Sequence, residues 1–363
     1  MSLSALYDLP APAKINQFLH IVGRRSDGYH LLQSVFVLID WADTLHFEKR
    51  RDGRLARHDL GPTLPADDLC LRAAHSLQQA SGTTSGADIS VLKQVPWGAG
   101  MGGGSSDAAT TLLALNRLWG LNWPRARLAL LGLSLGADVP FFIGGRNAFV
   151  QGIGERLTPL DLPRACVAVV KPAATIATRD IFEHPALVRD TEAISEAAIV
   201  VGCSPDDAGG RSNFENEREN ERENERRSDC NAESKTEFET DSETECSDRG
   251  KDRDKRTGGL TPWQSSWVRS GEQWGRNDLQ APAEDRCVEV RLAAEWLQAR
   301  YGNSRMTGSG SAVFARLHAV LEDSKEGGCA PTLATFPQAE LPAGWSGRIC
   351  YSLPQHPLLG WAD

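Results

Sequence analysis

The sequence has no run of about 18 apolar residues, the length a helix needs to cross a bilayer, so no membrane span is expected. Its first residues, MSLSALYDLPAPAK, lack the basic start and apolar block of a secretory signal, and a cytoplasmic protein is expected. The eight cysteines are scattered and form no CxxC pair, which excludes a zinc ribbon or a thioredoxin-type motif. Without a signal they read as reduced thiols. There is no surplus of basic residues. The net charge of -9 argues against a dedicated nucleic-acid binder. No GxxxxGK[ST] stretch occurs, so any phosphate site is not a Walker loop.

The 363 residues are enough for two domains with a real core, and an apolar content of 40% is ordinary for a globular protein. The acidic surplus is concentrated. Residues 213–256 carry 16 acidic and 10 basic side chains, short EREN repeats and almost nothing apolar. Such a composition cannot bury enough surface to offset the entropy of ordering. A solvated, disordered insertion is therefore expected at about 204–270. The remainder is near-neutral.

Either side of that tract, strands and helices alternate irregularly. Strands are expected at Phe18 to Val22, Ser34 to Ile39, Ala87 to Val95, Phe149–Val150 and Val167 to Val170, with another in AVFARL after the turn RMTGSGS. Helical spacing appears over Asp68 to Ala80, from the glycines to about Trp119, over Arg125 to Leu133 and over 288–300. This mixture favours an α+β fold over a doubly wound sheet.

The most informative segment is 96-PWGAGMGGGSSDAATTLLALNRLWG-120. Glycines tolerate positive φ and let the backbone approach a ligand closely. Ser105, Ser106 and Asp107 stand where N-cap and first-turn residues belong. Ala108, Leu112, Leu115 and Trp119 share one helical face, which would be the core side. A glycine loop running into a helix start favours an anion, above all a phosphate. A structural turn before an ordinary capped helix is the plainer alternative. It is not a dinucleotide fingerprint, because no acid ends a strand about 20 residues on.

Other candidates are weaker alone. Lys14, in PAKIN, could be a surface lysine. Asp138, in GADVPFF, has apolar company that suits a paired or functional carboxylate better than a solvated one. A cation beside it would keep it ionised and ease deprotonation of a hydroxyl. Tyr29 and His30 close the loop GRRSDGYH and suit a flat base, although a packed turn is the commoner use of such a pair. The GSGS at 308–311 reads as a tight turn or a second backbone nest.

PAKIN, GRRSDGYH, the glycine segment, LGADVPFF and MTGSGSAVFA, in that order, resemble the GHMP kinases over about residues 8–200 and 270–320. The wording GRRSDGYH and LNRLWG narrows this to the branch acting on diphosphocytidyl-methylerythritol in non-mevalonate isoprenoid (isopentenyl diphosphate) biosynthesis. The resemblance implies an N-terminal domain over 1–160 like ribosomal protein S5 domain 2, and a ferredoxin-like C-terminal domain over 161–363 interrupted by the insertion. It implies ATP as phosphoryl donor, with Mg²⁺ held largely by its phosphates and by the Ser106 hydroxyl, and no dedicated metal site. ATP would contact Lys93, Pro96, Gly98, Ala99, Gly100, Met101, Gly102, Gly103, Gly104, Ser105 and Ser106.

By the same resemblance Asp138 would act as base and Lys14 would orient it. Asn16, Tyr29, His30, Phe36 and Phe182 would hold the substrate, the last four around its cytosine. Asn277 and Asp278 match the family's segment after the insertion point. Asp68 departs from it, since the family usually shows asparagine there, and the insertion is foreign to the compact pattern. The partner would be a cytidine diphosphate derivative, with no nucleic acid and no membrane. The rival expectations are another GHMP small-molecule kinase, or a nucleotide-binding protein without catalysis.

Overall fold

Two long strands form the frame. β1 (Ala5–Arg24) and β2 (His30–Arg50) pair antiparallel across a turn in which Gly28 has φ of 92°. Both far outrun the short strands expected around Phe18 and Ser34. The register shifts between Leu6 and Leu9, Pro12 and Lys14, Asn16 and Leu19, and Ile21 and Gly23. These bulges let a strand carry Pro10 and Pro12, which break the alternating pattern that marks a strand in sequence. The computed structural model describes residues 3–66, 68–196, 199, 275–317 and 336–362, so the insertion expected to be disordered lies outside the described residues.

β2 is the spine of a six-stranded sheet. β3 (Leu55–Asp59), β4 (Gly86–Leu92), β5 (Ala148–Gln151) and β6 (Arg156–Pro159) complete it in the order β3-β4-β2-β5-β6, with β1 also on β2. Only β3–β4 is parallel. Four helices contribute to its core: α1 (Leu69–Ser81), α2 (Gly103–Leu118), α3 (Arg125–Leu133) and α4 (Val139–Gly144). α1 is capped as its sequence allows: Asp68 Oδ1 accepts from Leu71 N at 2.8 Å, and Gly82 closes the helix in the left-handed region.

α2 was expected to bury one face, yet 12 of its 16 residues are buried. It touches β1 and β2 on one side and α1, α3 and α4 on the others, so its small residues Ala108, Ala109, Thr110 and Ala114 let neighbours close in all round. Such a helix cannot shift without disturbing every layer, which makes its first turn a rigid platform.

The second sheet follows. β7 (Cys166–Lys171), β8 (Arg305–Met306), β9 (Val313–Leu317) and β10 (Ser346–Tyr351) lie in the order β10-β7-β9-β8, all antiparallel. The short helix α5 (Thr178–Phe182) follows β7. α6 (Gln280–Arg286) and α7 (Val288–Tyr301) precede β8, and α7 packs on the sheet through Val290, Ala293, Ala294 and Leu297. The tail that pattern reading leaves unassigned supplies β10 and then returns to the first sheet. Ser352 bridges to Ile39 and Gln355 to Arg146, and Leu358 and Ala362 enter the first core.

Candidate active site

The glycine loop winds through three left-handed residues, Gly98, Gly100 and Gly102, with φ of 63°, 71° and 71°. A Cβ on Gly100 would lie 2.4 Å from the Thr307 carbonyl oxygen, so glycine is needed there for space as well as conformation. The GSGS turn packs directly on this loop: Ser311 N donates to Gly98 O at 3.1 Å and Ala312 N to Ala99 O at 3.2 Å. The second glycine motif is therefore a buttress for the first, closed by a Gly310 N to Thr307 O bond of 3.0 Å.

The helix start differs from expectation. Gly102 is the N-cap, with no side-chain cap bond, and Ser105, Ser106 and Asp107 fall inside the helix. Ser106 is fully buried and its hydroxyl donates to Pro12 O at 2.7 Å, so it ties α2 to β1 and is not turned to a ligand or a metal. What remains for an anion is the uncapped first turn, the amides of Gly103, Gly104 and Ser105, at the positive end of the helix dipole. These amides line a cavity of about 520 Å³ walled by Pro96 to Ser105, Lys93 and Asp107.

Lys14 and Asp138, 124 positions apart in sequence, meet beside this turn: Lys14 Nζ lies 3.7 Å from Asp138 Oδ2. The bulge between Pro12 and Lys14, and a 2.9 Å bond from Lys14 N to Met101 O, fix the lysine against the loop. Its Cε lies 3.3 Å from where a Cβ on Gly102 would stand. Asp138 directly precedes α4, whose Phe141 and Phe142 are buried, and this explains its apolar company. The lysine side chain is 4% exposed and the aspartate 30%, so the carboxylate is the more accessible of the two. Burial lowers the Lys14 pKa below the ordinary lysine value, with Asp138 opposing.

Asn16 completes the arrangement. Its Oδ1 accepts from Lys14 Nζ at 2.6 Å, its Nδ2 donates to Ser34 Oγ at 2.9 Å, and its amide donates to Thr307 Oγ1 at 2.9 Å. Phe36 lies under the lysine, 4.4 Å from Nζ to its ring centroid, and meets Phe141 edge-on at 5.2 Å.

A second opening, of about 1010 Å³, is walled by Tyr29, His30 and Phe182. His30 stacks on Phe182 at 5.0 Å and 29°, and Tyr29 is 61% exposed at the rim. Of the four aromatic positions expected together, three are brought together. Phe36 is not on this wall but in the floor beneath Lys14. Thr178 lines both openings, and its hydroxyl lies 2.8 Å from Ser309 Oγ, so the cleft and the cavity adjoin there.

Lys93 and Asp68 also line the cavity, and both are engaged. Lys93 Nζ bonds to the buried carboxylates of Asp43 and, at 2.6 Å, Asp107. Asp68 pairs with Arg57 at 2.5 Å besides capping α1. Asn277 anchors the start of the chain after the insertion by donating to Met306 O and Gly308 O at 2.9 and 2.8 Å, and Asp278 Oδ2 accepts from Ile21 N at 2.8 Å. Among the described residues no group of three His, Cys, Asp or Glu side chains is arranged for a metal. No described helix is long and apolar enough to cross a membrane.

Asp43, Thr307 and Arg189 are not singled out by the sequence reading, and Asp107, expected in the first turn of the helix, proves to be a partner of Lys93. Asp43, in LIDWADTL, shares the apolar company that marks Asp138. Nothing in the sequence alone marks Arg189.

The family model for the GHMP kinases N terminal domain matches residues 68–146. The chain is 51% identical to the 4-diphosphocytidyl-2-C-methyl-D-erythritol kinase of Methylibium petroleiphilum, over 100% of both chains. It is 47% identical to the kinase of that name in Verminephrobacter eiseniae, over 99% of both. The first alignment runs through the acidic tract, so chain length there is shared with that relative. A crystal structure of 4-(cytidine 5'-diphospho)-2C-methyl-D-erythritol kinase superposes with a TM-score of 0.59 at 29% identity, covering 85% of this chain and 89% of that one. Homoserine kinase from Cytophaga hutchinsonii, at 13% identity and a TM-score of 0.55 over 98% and 96% of the chains, shares the fold.

Proposed function

The chain belongs to the 4-diphosphocytidyl-2-C-methyl-D-erythritol kinases of the GHMP superfamily, and from that premise we propose that it moves the γ-phosphoryl group of ATP to the 2-hydroxyl of that substrate. The single observation that carries the proposal is the meeting of Lys14 and Asp138 at 3.7 Å beside an uncapped helix start. Phosphoryl transfer needs the donor and the alcohol held in line, charge stabilised on the moving group, and a base for the hydroxyl proton. The loop from Pro96 to Ser105 receives the triphosphate, its amides and the α2 dipole facing the negative charge. Lys93 borders the nucleotide on the same wall. Asp138 takes the proton of the 2-hydroxyl as the oxygen attacks phosphorus. Lys14, kept in place by Asn16 and Met101, orients the carboxylate and offsets charge on the transferring group.

Mg²⁺ enters as the companion of ATP, held by its phosphates. Ser106 is not among its ligands in this reading, because its hydroxyl is spent on Pro12 O. Tyr29, His30 and Phe182 take the cytosine, while Phe36, beneath Lys14, borders the methylerythritol end with Asn16. A division near residue 160 then puts ATP chiefly on the first sheet's domain, with Phe182 reaching over from the second. The proposal is of a cytoplasmic enzyme whose partner is a small molecule, with neither nucleic acid nor membrane involved.

The base cleft favours this reading over a mevalonate or homoserine kinase, whose substrates carry no base. The acid–lysine pair favours it over a nucleotide-binding protein without catalysis. The test is ATP-dependent phosphorylation of the diphosphocytidyl substrate against mevalonate and homoserine. Turnover confined to the first is expected. Equal turnover of mevalonate, or none with any acceptor, would overturn the proposal.

A further inference from the structure

The His30–Phe182 stack is held by a residue that pattern reading does not find. Arg189 distributes its donors over four neutral acceptors: Nε to His30 Nε2 at 3.1 Å, Nη1 to Leu187 O at 2.9 Å, and Nη2 to Phe182 O and His184 O, each at 3.0 Å. One guanidinium thus ties the end of α5 to the first residue of β2. A guanidinium carries no acceptor and keeps its proton at any ordinary pH. Its Nε–H therefore needs a lone pair on His30 Nε2, and the ring proton must reside on Nδ1. Among the described residues no protein acceptor meets Nδ1, so this N–H remains for a ligand.

We propose that Arg189 is a positioning residue: it holds His30 as the neutral imidazole protonated on Nδ1 and stacked on Phe182, so that the cleft offers the substrate's base one fixed N–H donor. The inference rests on the reading above that this cleft takes the base. A donor there suits the N3 or O2 acceptor of a cytosine, whereas the N3–H of a uracil would face it with a second donor.

The charges around the ring agree. Arg24 of β1, Asp27 of the turn, Arg179 of α5, Glu183 just after it and Arg189 all border the cleft. Asp27 is paired with Arg25 at 2.7 Å and Glu183 with Arg179 at 2.7 Å, which leaves Arg24 and Arg189 as the uncompensated cations. Both disfavour a charged imidazole. Burial lowers the His30 pKa first, with Arg189 and then Arg24 adding to it.

Two measurements test this on the full-length protein. In ¹⁵N-labelled wild type, the His30 ring, assigned by its loss in His30→Gln, should show the Nδ1–H tautomer and stay neutral to a lower pH than an ordinary histidine, whose pKa is about 6.5. In Arg189→Met the ring should titrate at a higher pH than in the wild type, since one of the three influences that lower its pKa is gone while burial and Arg24 remain. KM for the diphosphocytidyl substrate should be several-fold higher in Arg189→Met than in the wild type at neutral pH, where the released neutral ring can carry its proton on Nε2 instead of Nδ1, with KM for ATP unaffected. Arg189→Lys, which keeps the charge but not the four-way geometry, should fall between the two. An Nε2–H tautomer in the wild type, or superimposable pH profiles for wild type and Arg189→Met, would overturn the proposal. The wild-type tautomer decides it even if the variants do not fold. If the wild type fails to phosphorylate the substrate while showing the expected tautomer, the functional reading fails and the Arg189–His30 lock does not.

Discussion

Two lysines, Lys14 buried and Lys93 half-buried, flank the first turn of α2, and they have opposite chemistry. A side chain on Gly102 would press on Lys14 Cε at 3.3 Å, and one on Gly103 would press on Lys93 Nζ at 3.4 Å, so both sit against the same glycines. Lys14 meets one acid across 3.7 Å, and that acid is partly exposed. Lys93 is gripped by two acids, Asp43 and Asp107, both buried. Burial lowers the pKa of each lysine. For Lys14 burial prevails and the value falls, whereas for Lys93 the two acids outweigh it and the value rises. The teaching is that burial alone does not make a lysine reactive. An ammonium held by one amide oxygen, with a single carboxylate 3.7 Å away, can engage a third party, while one saturated by two carboxylates serves as a rivet.

The sharpest way to break this comparison is at the open carboxylate. Asp138→Asn keeps the shape and removes the base, so kcat should fall about 100- to 10,000-fold. ATP affinity, measured separately by calorimetry, should be largely kept, because Asp138 lies outside the residues lining the nucleotide cavity. Unchanged turnover would remove Asp138 from its role. The counterpart is Lys93→Met, which leaves two buried carboxylates facing each other without a cation. Removing one partner of a buried ion pair costs about 3–5 kcal/mol, so urea unfolding should show a loss of that size. If Lys93→Met were as stable as the wild type, the rivet would be no rivet.

How much of this contrast can be read from the chain is uneven. PAKIN, the glycine segment and LGADVPFF locate Lys14, the loop and Asp138, because each is short and local. Helices α1, α2, α3 and α7 lie within a few residues of their expected spans, since their apolar spacing is regular. The long β1 is obscured by Pro10 and Pro12 on a bulged strand, β3, β6 and α4 by their shortness, and β10 by the proline-rich tail around it. Ser105 and Ser106 have the chemistry of caps, yet a left-handed glycine, Gly102, starts the helix a turn earlier. The pairing of Asp107 and Asp43 is hidden for a different reason. Their partner, Lys93, lies 14 and 50 positions away, and only the folded sheet brings the three together.

A smaller effect separates the lysines by pH. Because the Lys14 pKa is lowered, its ammonium loses its proton at a lower pH than the ordinary lysine value of about 10.4. The alkaline limb of kcat/KM should therefore fall below that range. Lys14→Arg, whatever its residual rate, should abolish the limb, since a guanidinium does not deprotonate there. A limb that persists unchanged in Lys14→Arg would mean that another group sets it.

The smallest expected effect tests whether Lys93 has one carboxylate too many. Asp107 Oδ2 bonds to Lys93, but its Oδ1 is buried without a partner, and the Asp43 carboxylate is also bound by the Gln94 and Val95 amides. One ammonium cannot fully compensate two desolvated carboxylates. The Asp107 carboxyl is accordingly pushed up to about 7, chiefly by burial, with Lys93 opposing and Asp43 adding to the rise. The native state thus binds this proton more tightly than the unfolded chain, whose Asp has a pKa of about 3.9. The stability this proton contributes is present below that value and is lost as pH rises through the folded pKa near 7. Asp107→Asn keeps an oxygen for Lys93 and has no proton to lose. Relative to the wild type, its Tm should therefore climb as the pH is raised from about 4 to about 7 and run parallel above that. Curves that stay parallel throughout would show Asp107 ionised alongside Asp43, with Lys93 compensating both.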